Sequence, residues 1–175
     1  IIALKWKYVD KCGAQWGQHC SFESGGRMFQ GAAMLNLDAK GRLAIPARFR
    51  EVLNEQGVSS LVLTGHPHRC ILVCPPPAWA TIRDRLLRAS GLELQTARLK
   101  RLLVGHAREE TLDANGRVLV APELRRMASL EKAVWLVGLG DHFELWSDAG
   151  WSEQQEAAFA DGDEPLPSTL ADLPL

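Results

Sequence analysis

Leu37-Asp38-Ala39-Lys40-Gly41-Arg42-Leu43-Ala44-Ile45-Pro46-Ala47 returns 75 positions later, without a gap, as Leu112-Asp113-Ala114-Asn115-Gly116-Arg117-Val118-Leu119-Val120-Ala121-Pro122. The copies share Leu, Asp, Ala, Gly and Arg in register, then an apolar triplet, then a proline within two residues. A short basic run follows each, Arg48-Phe49-Arg50 and Leu124-Arg125-Arg126. A period this long, present twice, marks a duplicated unit rather than a solenoid.

Asp-Ala-Lys-Gly and Asp-Ala-Asn-Gly are tight-turn sequences. Gly41 and Gly116 can take positive φ without steric cost, and Asn115-Gly116 is a strong hairpin signal. Asp38 and Asp113 can accept hydrogen bonds from their own turn's backbone, and they can face Arg42 and Arg117 across it. Leu43-Ala44-Ile45 and Val118-Leu119-Val120 read as short buried strands. Pro46 and Pro122 suit the first turn of a helix. The repeated unit is therefore strand, polar turn, strand, short helix.

These two Asp-x-x-x-Arg turns, with the opening Met28-Phe29-Gln30-Gly31 and the length, resemble the MraZ family of bacterial transcriptional regulators, which carry two SpoVT-AbrB-type units in one chain. The resemblance runs from Met28 to the C-terminus. Single AbrB-type units pair as two chains in an interlaced barrel. The resemblance thus implies an α+β fold of two pseudo-symmetric, AbrB-like swapped-hairpin β units with short helices, fused in one chain. It implies a sequence-specific regulator, a repressor of its own cell-division and cell-wall operon. Such a regulator would bind short direct repeats in double-stranded promoter DNA as a homo-oligomeric ring, in the cytoplasm at the nucleoid. Where relatives often carry a basic residue, Gln30 is neutral.

Composition sets the outer bounds. Apolar residues make up 46% of the 175, enough for a core, and no apolar run is long enough to span a membrane. A net charge of −1 says nothing of nucleic acid by itself, but charge is unevenly placed. Seven Arg or Lys between Arg83 and Arg108 face Asp84 and Glu93, whereas nine Asp or Glu and no Lys or Arg follow from Asp141 onward. Cys12, Cys20, Cys70 and Cys74 show no disulfide spacing, and Ile1-Ile2-Ala3-Leu4-Lys5 lacks the apolar core of a signal peptide. Reduced cytosolic thiols are expected.

Along the chain, residues 1–27 lack sustained periodicity and are expected to be a disordered extension or translated upstream sequence. Unit one covers 32–75, with strands at Ala33–Leu37, Leu61–Thr64 and Cys70–Val73. Its helix, Ala47–Asn54, carries Phe49, Val52 and Leu53 on one stripe and is ended by Gly57. A helical linker follows over 76–103. In it Trp79, Ile82 and Leu86 share a face, and a second helix near Glu93–Val104 turns Leu92, Leu99, Leu102 and Leu103 inward. Unit two covers 104–150, with strands at Ala107–Leu112, Val134–Gly138 and Phe143–Trp146 and a helix at Pro122–Ala128. Residues 151–175 hold a terminal helix, N-capped by Asp148, and an acidic tail disordered from Asp161.

Residue chemistry leaves Arg42 and Arg117 two roles. Each can brace its turn against Asp38 or Asp113, a pairing that contributes little at an exposed turn. Each can also be aimed by that aspartate at guanine or phosphate. The resemblance favours the second for Arg42 and, to a smaller degree, for Arg117. Lys40, a point charge, suits phosphate if it is not simply solvated, and Arg48 and Arg50 at the helix start form a solvated face or, alternatively, contact phosphate. Lys40, Arg117 and Arg48 thus join Arg42 as candidate DNA contacts. Asp38, Gly41, Asp113 and Gly116 are then turn-organising residues. No cofactor or metal is expected: Cys70 and Cys74 stand roughly 13 Å apart on an extended segment, too far to share a zinc with His66 and His68. No nucleophile elbow, phosphate loop or carboxylate pair argues for an enzyme. Asp38 and Asp113 each have an arginine that lowers, not raises, the carboxyl pKa. The other reading is an oligomeric scaffold without sequence-specific DNA binding.

Overall fold

A computed structural model describes residues 28–91 and 93–160, and the described residues up to Ala157 form one unit. The expectations for residues 1–27, for Leu92 and for the tail from Asp161 lie outside the described residues. Eight strands and five helices follow in chain order. They are β1 (Phe29–Asn36), β2 (Arg42–Ala44), α1 (Ala47–Glu55), β3 (Ser60–Gly65), β4 (Ile71–Cys74), α2 (Pro76–Arg88), α3 (Leu94–Leu99), β5 (Arg108–Thr111), β6 (Arg117–Leu119), α4 (Pro122–Met127), β7 (Ala133–Gly140), β8 (Phe143–Ser147) and α5 (Asp148–Ala160). Lys100–Val104 continues α3 as a π-helical turn.

Among the described strands, β3–β4 and β7–β8 pair within their own repeats, and the other ladders join one repeat to the other. The large sheet runs β1-β7-β8-β4-β3-β5, and β2 pairs with β6 in a separate ribbon. Thus β1 of the first repeat lies on β7 of the second, Phe29 opposite Gly140 through Asn36 opposite Ala133. In return β5 of the second repeat lies on β3 of the first, Leu61 opposite Glu110. Within the first repeat, a single bridge between Leu37 and Leu43 is what remains of a hairpin around its turn. The swapped α+β architecture is therefore present inside one chain.

Period-2 alternation splits the sheet between two layers. Leu61 and Leu63 face the main core, whereas Val62 packs on the opposite side. The main core holds α1, the β2–β6 ribbon and Leu124 of α4 against the sheet. Its centre is Phe29, Phe49 and Phe143, with Phe143 4.2 Å from Phe29 and 4.9 Å from Phe49 between ring centroids. Edge and tilted ring pairs of this kind add about 0.5–1.5 kcal/mol beyond area burial. Behind the sheet, Trp79 of α2 and Leu103 cover Val62, Leu72 and Cys74, with Ile82, Leu86, Leu99 and Leu102 packed alongside. The buried Thr64 hydroxyl donates to Leu103 O at 2.5 Å and so ties the sheet to the π turn.

Four local readings change. β1 starts at Phe29 rather than Ala33, because β7 offers partners over all eight residues, with Gly31 set opposite Gly138. β2 and β6 are half-buried rather than buried: Leu43 and Val118 face the core, while Ala44 and Leu119 face out. The α5 N-terminus is capped by Ser147, whose Oγ accepts the Gly150 N–H at 3.1 Å, and not by Asp148, whose Oδ1 accepts the Trp135 indole N–H at 2.8 Å. The expected second linker helix loses α geometry at Lys100, where a π turn sets Leu103 inward. At the end of α1, Gly57 at φ +67° donates to Asn54 O and Val58 to Leu53 O, a Schellman closure.

Candidate nucleic-acid interface

Each turn is built around its aspartate. Asp38 Oδ1 accepts the backbone N–H of Lys40 and of Arg42, both at 2.9 Å, and Oδ2 accepts Arg42 Nε at 2.8 Å. Asp113 does the same with Asn115 at 2.9 Å, Arg117 at 3.0 Å and Arg117 Nε at 2.8 Å. Gly41 and Gly116, at φ +78° and +69°, close the turns by donating to Asp38 O and Asp113 O at 2.8 Å. An L side chain is strained at such φ, so glycine fits there.

The swap then brings the two turns side by side. Ile45 N–H donates to Gly116 O and Val120 N–H to Gly41 O, at 3.0 and 2.9 Å. Arg42 Nη1 stands 3.7 Å from Asp113 Oδ2, and Arg117 Nη1 3.9 Å from Asp38 Oδ2. The four side chains form one group of alternating charge, each about one-third exposed. Such a group holds its guanidinium planes in place while their outer edges meet solvent.

Two further arginines complete the arrangement. A Cβ on Gly41 would come within 2.7 Å of Arg125 Cζ, and one on Gly116 would run into Arg50 Cδ. Each arginine thus lies over the turn glycine of the other repeat. Each is also anchored at the end of its own strand, Arg50 Nε to Ile45 O and Arg125 Nε to Val120 O, both at 3.1 Å. From the sequence, Arg50 is a solvated helix residue or a phosphate contact, and Arg125 has no assigned role. A signal was present, since Arg50 and Arg125 keep the 75-residue offset eight positions past the turn arginines.

The electrostatics follow. The Arg42 backbone N–H holds the Asp38 carboxyl down to about 2, against the opposing cost of its partial burial. The Arg42 side chain and the Lys40 N–H add to the lowering. Asp113 is lowered by the corresponding groups, led by the Arg117 N–H. Both carboxylates are ionised at neutral pH. Around them stand Lys40, Arg42, Arg50, Arg117 and Arg125, five cations against two anions, on a chain whose net charge is −1. Local concentration of positive charge is what a polyanion requires.

The two turns differ at their tips and flanks. Exposed Lys40 in the first is matched by Asn115 in the second, and Arg48 on α1 is matched by Glu123 on α4. Arg48 is placed away from its expected company: its guanidinium lies 4.6 Å from the Phe49 ring centre, and Nη2 donates to Ala32 O of β1 at 3.1 Å. Glu123 is paired with Arg108. Among the described residues, His66, Cys70 and Glu144 also bring possible metal-ligand atoms together, within 4.8 Å of one another. No described helix is long and apolar enough to cross a membrane.

A family model described as "MraZ protein, putative antitoxin-like" matches residues 28–102 and again 103–167. A protein of Azoarcus sp. (strain BH72) named transcriptional regulator MraZ is 60% identical over 148 residues, 85% of this chain and 100% of the relative. Proteins of the same name from Dechloromonas aromatica (strain RCB) and Aromatoleum aromaticum are 57% and 59% identical over the same shares.

Proposed function

The chain belongs to the MraZ family, and on that premise we propose that it is a DNA-binding transcriptional regulator whose reading surface is the paired Asp-x-x-x-Arg turns. One observation carries this: the turns gather five cations against two carboxylates, with two arginines fixed by aspartate and two laid over glycines. Fixed guanidinium forks suit base edges or phosphates, and the exposed charge of Lys40 suits phosphate. Of the two turns, the first is the stronger contact, because Lys40 adds a cation where Asn115 adds none. Arg42, Lys40 and Arg117 are the proposed DNA contacts. Arg48, also expected there, can serve only a phosphate beside β1. Asp38, Gly41, Asp113 and Gly116 hold the turns.

The finer reading is a repressor of its own cell-division and cell-wall operon, acting in the cytoplasm at the nucleoid on short direct repeats as a ring of subunits. Self-association is supported by a sheet that, among the described residues, ends on β1 and β5, strands paired there on one side only. Weak contacts repeated along one DNA would then gain affinity by linkage. The test is a titration of the duplex just upstream of the coding region against a scrambled duplex, at two salt concentrations. Selective, salt-dependent binding is expected. Equal binding to both duplexes would leave the scaffold reading in its place.

A further inference from the structure

We propose that His66, Cys70 and Glu144 form a binding site for a divalent first-row cation of the zinc class, with a fourth position open to water or to His68. This goes beyond the DNA-binding reading and does not depend on it. The three ligand atoms lie within 4.8 Å of one another. A tetrahedral zinc with bonds of about 2.0–2.3 Å needs its ligands about 3.3–3.8 Å apart, so rotamer changes of about 1 Å would close the set.

Backbone geometry, not loop freedom, places these residues. His66 N–H donates to Cys70 O at 3.0 Å and closes the β3–β4 turn, which sets both residues at its base. Glu144 lies on β8 opposite Leu72, two residues from Cys70 and on the same sheet face. The separation that speaks against a zinc is the one between Cys70 and Cys74, about 13 Å by strand rise. In the fold Cys74 packs with Val62, Leu72 and Trp79, and the third ligand comes from the other repeat, 74 positions beyond Cys70.

The surroundings fit a metal site. Val137 and Trp146 wall Cys70 with apolar surface. Trp146 Nε1 donates to Glu144 Oε2 at 3.0 Å, which orients the carboxylate from outside the ligand set. The exposed His68 ring stands edge-on to His66, 4.8 Å between ring centres. Zinc-class cations bind cysteine as the thiolate, so binding exchanges the Cys70 thiol proton for the cation: the S–H bond breaks, a sulfur–metal bond forms, and one proton leaves to solvent with no change in oxidation state.

The test uses the full chain, reduced, with Cys12→Ser and Cys20→Ser as background so that Cys70 and Cys74 are the remaining thiols. Titration with Co²⁺ should give a thiolate-to-cobalt charge-transfer band saturating at one ion per chain and displaced by Zn²⁺. Cys70→Ser should abolish the band and Cys74→Ser should leave it. Trp146→Phe, which removes the indole donor but keeps the ring, should weaken binding about 10–100-fold. His66→Ala, at a half-buried turn position, should abolish tight binding and serves if Cys70→Ser disturbs packing. No band, a band that survives Cys70→Ser or His66→Ala, or a band lost in Cys74→Ser would overturn the proposal.

Discussion

Replacing Arg42 with alanine separates a DNA-reading residue from a turn brace. Arg42 gives Nε to Asp38 at 2.8 Å and sets Nη1 3.7 Å from Asp113, so its outer edge remains for a base. A bidentate base contact is worth about 1–3 kcal/mol of discrimination, a factor of about 5–150 per chain. If several subunits sit on one operator, the factor compounds. The cost to the fold is small by comparison. Asp38 keeps the Lys40 and residue-42 backbone donors at 2.9 Å after the substitution, so its carboxylate is not stranded. A fall in Tm of at most about 2–4 °C is expected for a chain of this size. Asp38→Ala removes the acceptor for all three bonds and should melt earlier than Arg42→Ala, with a smaller loss of operator selectivity. Arg117→Ala should lose less affinity than Arg42→Ala, since Asn115 replaces Lys40 beside it. The assay is fluorescence anisotropy on operator and scrambled duplexes, with a thermal melt of each variant. If Arg42→Ala binds operator like the parent and melts early, the arginine is a brace and the DNA surface lies elsewhere.

Other outcomes follow from the same geometry. Lys40→Ala should weaken operator and scrambled duplexes alike and flatten the salt dependence by about one unit of log–log slope, read from titrations at several salt concentrations. Gly41→Ala and Gly116→Ala combine backbone strain of about 1–2 kcal/mol with displacement of Arg125 and Arg50; Tm should fall by about 2–8 °C and DNA affinity with it. Gly57→Ala, at φ +67° with nothing within 4 Å among the described residues, should lower Tm and leave DNA binding intact. Because the folded-state pKa of Asp38 is depressed to about 2, its contribution is complete above about pH 4 and lost as pH falls toward 2. Tm scans across that range should be shallower for Asp38→Asn. Ser147→Ala should cost about 1 kcal/mol as a lost N-cap, seen as a lower Tm than that of Asp148→Ala.

Local chemistry was legible and long-range pairing was not. The turn glycines, the Phe49-Val52-Leu53 stripe and the strand at Leu61–Thr64 can be read from periodicity and turn residues, because those signals act within a few positions. That β1 would join β7 cannot be read so: alternation says which face is buried, not which strand lies beside it, and the swap entered through the family resemblance. Arg50 and Arg125 were visible as an offset but not as turn partners, because their glycines lie on the opposite repeat. Ser147 and Asp148 are both capping residues, and β8 running straight into α5 decides between them. Glu144 lies 74 positions beyond Cys70, and spacing along one segment carries no information about a side chain on another strand.

The exchange of strands between repeats also fixes an order of assembly during synthesis. At about 5–20 residues per second, on the order of 10 s separates the emergence of Phe29 from that of its partner Gly140. Throughout that interval β1 has no ladder, and β2 waits for β6. The nascent first half can close β3 on β4, but it leaves Phe29 and Leu43 without their core, as ready targets for chaperones. A nonsense codon in the linker after α2 therefore yields a half-chain that has no partner of its own for either of its first two strands, so it would need a second copy to supply them.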